Sequence, residues 1–328
     1  MKEIRLGTIG SGVIVHSILD NVRITEGVTL EAVYSRSAEK GAALAAEYGA
    51  GKVYTDMDAF LADDAVNVVY IATPNLLHYE QAKRALLAGK HVILEKPFCT
   101  KRAHAAELVE LARENRLMLV DAVPPSFCPN FGILKELVEK VGRLKLVMTN
   151  FSQYSSRYDK LLAGELPNIF NPALAGGCLM DLNFYNIYMN VALFGKPGQV
   201  CYYPNFYPGA ADTSGVAVLA YDGFISQNAA AKDTWGVNFV QIEGEKGYIY
   251  ATEGSSALSE ITLVTRDGTQ VFNEQPNPDR WFYEVQAVTK LLLEENYGEI
   301  QRRLDVMLDV IDTLEQARKK AGIFFPGD

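Results

Sequence analysis

The chain reads as an α/β protein: a doubly wound parallel sheet in its first 122 residues, then a second region on a largely antiparallel sheet. Three observations predict this. Short aliphatic runs alternate with alanine-rich stretches of helical spacing through residue 122. A glycine-rich turn follows the first of those runs. After Asp121 the texture changes to proline interruptions and longer alternating segments. At 328 residues, 48% of them hydrophobic, the chain can bury two cores.

Residues 4–9, 30–34, 66–71, 91–94 and 117–120 are short and aliphatic, as strands covered on both faces must be. Residues 42–48, 79–87 and 103–115 carry apolar side chains at helical spacing, and Gly49, Gly51 and Gly89 fall where helices should stop. Such alternation implies right-handed crossovers. Pro124-Pro125 and Pro129 then interrupt regular structure and set a boundary between regions 1–122 and 123–328. A helix is expected at 131–141, and strands at 144–154, 216–221, 239–243, 248–251 and 261–265. Residues 244–247 and Asp267-Gly268 read as hairpin turns. Helices at 281–296 and 301–321 close the chain, the terminal one free to pack back on the first region.

The net charge is −9 and the isoelectric point about 5.1. No block of lysine and arginine stands out, which argues against a nucleic-acid or membrane partner. The N-terminus reads as a strand and not as a signal peptide, and no apolar run approaches the length of a membrane span. Cys99, Cys128, Cys178 and Cys201 are scattered, so the expectation is a reducing, cytoplasmic setting and no metal site. His16, His78, His91 and His104 all lie in the first third. Acid–base chemistry from the rest of the chain must use other residue types.

The first motif is Gly7-Thr8-Ile9-Gly10-Ser11-Gly12-Val13-Ile14-Val15. A strand enters, the GxG turns it, and a helix begins, so that backbone N–H groups can approach a pyrophosphate. Val15 stands at the third glycine position, which governs helix–strand packing more than phosphate contact. Tyr34-Ser35-Arg36-Ser37 lacks the acid that would bind the ribose 2′-hydroxyl of NAD. Serine and arginine suit a 2′-phosphate, so NADP is expected in preference to NAD. The plainer reading is a solvated Arg36 and a Ser37 that caps the next helix. Ala72-Thr73-Pro74-Asn75 opens a helix whose N-terminus can meet the cofactor backbone, and His78 reads as a hydrogen-bonded structural residue. Glu95-Lys96-Pro97 follows the run 91–94. A lysine at the carboxyl end of such a strand faces the crevice where open α/β sheets bind ligands; an exposed loop lysine is the bland alternative. In the second region, Gly176-Gly177-Cys178-Leu179-Met180-Asp181-Leu182-Asn183-Phe184-Tyr185, read as one helix, puts Asp181 and Tyr185 at i and i+4. Ordinary capping and packing would explain that pair but not the two glycines, which permit close backbone approach.

GxG, TPN, EKP and GGxLxDxxxY, in this order and spacing, resemble the Gfo/Idh/MocA oxidoreductases over essentially the whole chain. The tyrosine is similar to the dihydrodiol dehydrogenase and glucose–fructose oxidoreductase branches; inositol dehydrogenases place histidine where Tyr185 stands. The resemblance implies a Rossmann domain binding NAD(P), residues 1–122. It implies a C-terminal α/β domain, residues 123–328, whose open sheet supports a homodimer or homotetramer. It implies that Lys96 is catalytic, that Asp181 and Tyr185 face the substrate, and that Lys96-Pro97 is a cis peptide. Gly10, Gly12, Val13, Ile14, Ser35, Arg36, Ser37, Ala72, Thr73, Pro74, Asn75, His78, Glu95, Lys96 and Pro97 are the corresponding cofactor-binding positions. The chain departs from the pattern at Val15, and at Asn183, where glycine is frequent. It departs also at Asp121-Ala122-Val123-Pro124-Pro125-Ser126 and at Asn168, two places where many relatives carry arginine. The Lys–Asp–Tyr set is intact.

The function expected is hydride transfer between NADP or NAD and a sugar, polyol or related hydroxy/keto compound. Oxidising a secondary alcohol needs a base for its proton. A tyrosine serving near neutral pH needs about 4 kcal/mol of help. One cation about 4 Å away supplies roughly that at an effective dielectric of about 20. Lys96 is that cation, with the oxidised nicotinamide adding to it, or is itself the proton donor while Tyr185 orients the substrate. Asp181 accepts a substrate hydroxyl or sets the charge state of Lys96. Tyr154, Tyr158, Trp281 and Phe282 are candidate pocket walls, each otherwise a core residue. Lys96 and Tyr185 come from opposite halves of the chain, so a cleft between domains is expected. Two alternatives stand beside this reading. One is a nucleotide-sensing regulatory protein, favoured by the absent arginines and opposed by the intact Lys–Asp–Tyr set. The other is a glycosidase-type enzyme using NAD transiently.

Overall fold

The computed structural model describes residues 1–328. The chain forms two compact units, Met1–Val123 with Trp281–Leu308, and Pro124–Arg280 with Asp309–Asp328.

The first unit alternates strand and helix. In order it runs β1 (Ile4–Ile9), α1 (Val13–Val22), β2 (Val28–Tyr34), α2 (Ala38–Tyr48), β3 (Lys52–Tyr54), α3 (Met57–Leu61) and β4 (Val68–Ile71). It continues with α4 (His78–Leu87), β5 (His91–Glu95), α5 (Arg102–Glu114) and β6 (Leu119–Ala122). All six strands are parallel, in the order β3-β2-β1-β4-β5-β6. β4 is buried at every residue, and Val92, Leu94, Leu119 and Val120 are likewise buried, which is why these segments read as unbroken aliphatic runs. The short β3 and α3 gave no such run: Lys52 and Val53 are exposed, and α3 has five residues. Ser37 caps α2 by accepting from the Lys40 amide, and α2 stops at Gly49 in the left-handed region.

Residues 281–308 group with this first unit, so the second unit is not the contiguous stretch 123–328. The reason is polar as well as apolar. Within α10 (Arg280–Leu293), Gln286 donates to Thr25 Oγ1 at 2.8 Å. The Met1 amine meets Glu295 at 2.6 Å. Arg303, on α11 (Tyr297–Lys320), makes a two-pronged bond to Asp121 at 2.9 and 3.1 Å. Burial pushes the Asp121 carboxyl upward while the Arg303 charge and hydrogen bonds pull the other way. The arginine absent from the sequence after β6 is thus met by one arriving from α11.

The second unit opens with α6 (Pro129–Val138), β7 (Leu144–Ser152), α7 (Tyr158–Leu162), α8 (Cys178–Asp181) and α9 (Asn183–Phe194). Strands β8 (Gln199–Phe206), β9 (Asp212–Tyr221), β10 (Phe224–Ala231), β11 (Phe239–Gly244), β12 (Gly247–Thr252), β13 (Ile261–Thr265) and β14 (Gly268–Phe272) follow. They form one eight-stranded sheet in the order β14-β13-β12-β11-β7-β10-β9-β8, antiparallel except for β10 against β7. β8, β10 and β14 escaped the sequence pattern. β8 and β14 are edge strands, the first carrying Pro204 and the second almost wholly exposed; β10, after Phe224 and Ile225, is built of Ser, Gln, Asn and Ala. One face of the sheet is dry: Val147, Val240, Ile242, Ile249 and Leu263 pack with Leu134 and Met189, each worth about 1.5–3 kcal/mol of apolar transfer.

The run from Gly176 to Tyr185 is not one helix. α8 ends at Asp181, Leu182 forms the junction, and α9 begins at Asn183. Asn183 and Asn186 side-chain amides are drawn to the β10 carbonyls of Asn228 and Ala229 at 3.1 and 2.9 Å, and this pins the start of α9 to the sheet. Asp181 and Tyr185 therefore sit on two helices.

Candidate active site

In the first unit the strand order reverses between β1 and β4, whose ends lie side by side, Ile9 paired with Ile71. Open α/β sheets bind ligands at such a reversal. Gly10 leaves β1 at φ +122°, and a Cβ there would collide with the Ala72 carbonyl oxygen. Only glycine allows the two strand ends this approach. Gly12 is the N-cap of α1; it offers no side-chain bond to the first-turn amides, the turn holds no acid, and a Cβ built on it meets nothing within 4 Å. The first turn, which begins with the exposed Val13 and Ile14, thus presents N–H groups with no side-chain cap. These features fit a dinucleotide pyrophosphate. At the end of β2, Ser35 is buried with its Oγ accepting from the Ser37 amide at 3.3 Å, and Arg36 is exposed. Ser37 is occupied in capping α2, as the plainer reading of that residue had it.

Lys96 follows β5 in a turn that is held from both sides. The buried Glu95 accepts from Tyr70 Oη at 2.8 Å and from the Lys96 amide at 3.1 Å. Lys96-Pro97 is a cis peptide. His78, 1% exposed, places Nδ1 on the Pro97 carbonyl and Nε2 on the Thr73 carbonyl, both at 2.9 Å. It is spent on main chain and ties the turn after β4 to the turn after β5. Burial holds its imidazole below the usual range, the two carbonyls opposing and the Lys96 charge assisting. Thr73 Oγ1 bonds Gln81 at 2.6 Å, and Pro74 and Asn75 lead into α4 through a short 3₁₀ turn.

In the second unit, Asp181 is paired through Oδ2 with Lys232 Nζ, just past β10. Tyr185 is buried, with the Arg280 guanidinium 5.4 Å from its ring centroid and Phe151 packed edge-on. Arg280 also donates to the Ser256 carbonyl at 2.8 Å. Tyr154 stacks on Trp235, its hydroxyl on Asp159 at 2.6 Å, and Tyr158 packs against Tyr154, Phe170 and Tyr207. Tyr154 and Tyr158 belong to this unit, whereas Trp281 and Phe282 belong to the first.

Residues 4–122 match the family model described as "Oxidoreductase family, NAD-binding Rossmann fold", and residues 132–250 match "GFO/IDH/MocA C-terminal domain". The chain is 34% identical to scyllo-inositol 2-dehydrogenase (NADP(+)) IolU of Bacillus subtilis (strain 168), over 99% of each sequence. The chain belongs to the Gfo/Idh/MocA oxidoreductase family. It is also 28% identical to D-xylose 1-dehydrogenase (NADP(+)) 2 of Haloferax volcanii over 95% of each sequence. Among solved structures it resembles KijD10, a 3-ketoreductase from Actinomadura kijaniata in complex with NADP and TDP-benzene, with a TM-score of 0.85. That match spans 97% of this chain and 98% of the other at 21% identity, and is a likeness of fold.

The Gfo/Idh/MocA motifs drew attention to Lys96, Asp181 and Tyr185 but passed over Lys232, Arg280 and Trp235. Lys232 follows three alanines and Arg280 follows a loop, with no spacing to flag either. Only the pairing of strands brings Lys232 to Asp181.

The two cradle glycines separate space from chemistry. Gly12→Ala should fold with an unchanged melting temperature, yet weaken NADP(H) binding about tenfold or more by crowding the first-turn amides. Gly10→Ala should lose stability as well as binding, because both φ and the Ala72 carbonyl oppose it. Thermal melts with calorimetric titration check this; a Gly12→Ala protein that binds as wild type would show that the cradle is not the phosphate site.

Proposed function

We propose that this oxidoreductase uses NADP in preference to NAD and moves hydride between the nicotinamide and a secondary alcohol or ketone of a polyol or sugar. The observation that carries the reading is the Lys96 turn, a lysine braced by Glu95 and His78 at the end of β5 in a sheet whose uncapped α1 fits a dinucleotide. Gly10, Gly12 and the first turn of α1 would hold the pyrophosphate, and Ser35 with Arg36 the 2′-phosphate. The names of the Bacillus and Haloferax relatives point the same way, to NADP and to a cyclitol or an aldose. The nicotinamide, when bound, supplies the hydride chemistry. Lys96 and Tyr185 handle the alcohol proton, and Asp181 receives a neighbouring hydroxyl. A positioned acid–base pair of this kind contributes about 10²–10⁴ in rate.

The second sheet leaves one face uncovered. By strand register Tyr203, Ile225, Tyr248 and Val271 share that face, and each is more than 40% exposed. Apolar residues concentrated on a sheet face favour burial against a second copy. The protein is accordingly a homodimer or homotetramer through this sheet. Its four cysteines are free thiols, which suits the cytoplasm.

Three measurements test the proposal. Calorimetry should give tighter binding of NADPH than of NADH, and Arg36→Ala should remove about 10–100-fold of that difference; equal affinities in the wild type would exclude the NADP preference. On a panel of cyclitols, aldoses and their ketones, Lys96→Met and Tyr185→Phe should each lower kcat by about 10²–10⁴ with cofactor affinity nearly unchanged. If Tyr185→Phe retains turnover, the proton belongs to Lys96. Tight NADP binding without turnover on any compound would favour the regulatory reading. Light scattering should give a mass well above 36.2 kDa at micromolar concentration; a monomer across salt conditions would refute the sheet interface.

A further inference from the structure

α8 is only four residues long, and it carries Asp181 at its last position. It is fastened at both ends. At its start, the buried Asp212 accepts from the Leu179 amide at 2.7 Å and from Tyr202 Oη at 2.6 Å. At its end, Lys232 Nζ bonds Asp181 Oδ2. The Lys232 main chain is itself fixed on both sides: its N–H donates to the Thr213 carbonyl and its carbonyl accepts from Ser155, both at 2.8 Å, continuing the ladders that flank β10. The Phe170 ring lies 5.6 Å from the ammonium.

The burial of this pair is lopsided. The Lys232 side chain is 3% exposed and that of Asp181 is 30% exposed. A buried ammonium costs several kcal/mol unless it is paired, and a neutral contact would fasten a short helix without that cost. A lysine sunk behind a partly open carboxylate delivers its charge to a group that solutes can reach. The geometry points to Lys232 as a positioning residue, which holds the Asp181 carboxylate in one direction so that a substrate hydroxyl meets a preoriented anion. This rests on the reading of Asp181 as substrate-facing, and assigns Lys232 a part in polyol recognition that the sequence motifs do not contain.

A double-mutant cycle on the full-length enzyme tests it, using NADP⁺ and the best alcohol of a panel that includes scyllo-inositol. Lys232→Met should lower kcat/KM for the alcohol by about 10–100-fold, mostly through KM, while the KM for NADP⁺ stays within twofold. In an Asp181→Asn background the same change should cost less than threefold, because its target is gone. If Lys232→Met fails to fold, Lys232→Gln, which removes the charge but keeps a polar chain, takes its place in the cycle. Wild-type kcat/KM in the lysine variant with an impaired Asp181→Asn overturns the inference alone, as do losses that multiply in the double variant. A fully active Asp181→Asn overturns the underlying reading of Asp181, and so does an absence of wild-type turnover across the panel.

Discussion

The second unit depends on a ladder of buried amides. Asn183, Asn186 and Asn190, one turn apart on α9, are all fully buried. Asn183 donates to the Asn228 carbonyl, Asn186 to the Ala229 carbonyl and to Asn183 Oδ1, and Asn190 to Asn228 Oδ1 at 2.7 Å. Thr149 and Ser255 complete the set from β7 and from the loop after β12. Each bond is worth about 1 kcal/mol when made, but a buried amide left without a partner costs about 1–3 kcal/mol. Sliding α9 by one residue would break several at once. The helix therefore has a single register on β10, and two groups inherit it: the candidate catalytic Tyr185, two residues after Asn183, and the positioning residue Lys232, four residues after Asn228. Asn183 is the first rung of this ladder.

The first unit rests on a different constraint, the close approach of two parallel strand ends. Gly10 lets the carbonyl of Ala72 come near β1, and the space beyond Gly12 is left clear. His78 and Glu95 then join the neighbouring turns through main-chain partners: the carbonyls of Thr73 and Pro97 and the amide of Lys96. Side chains holding backbone in this way give Lys96 a fixed origin.

Charges absent from motif positions reappear from elsewhere in the fold. The stretch Asp121–Ser126, where the family resemblance leads to the expectation of an arginine, has none; Arg303 of α11 pairs with Asp121, near the end of β6, inside the same unit. Arg280, the first residue of α10, lies over the Tyr185 ring. Neither supply is visible in a linear motif, because helices that follow the sheets in sequence return to pack beside them.

The sequence by itself determined the parallel sheet of the first unit apart from β3, the glycine turn at the end of β1, the lysine turn at the end of β5 and two hairpin turns of the second sheet, at 244–247 and Asp267-Gly268. These depend on local chemistry: the reach of glycine into positive φ, the ring of proline, and the period with which apolar side chains recur. Strands lacking an aliphatic run were illegible for the same reason, as β10 with its Ser, Gln, Asn and Ala demonstrates. The break at Leu182 and the pairing of Asp181 with Lys232 were decided only in the tertiary structure. The pair joins residues 51 positions apart. It exists because β10 lies between β7 and β9 in one register, and that register is set by amides and carbonyls that meet only when the sheet has formed.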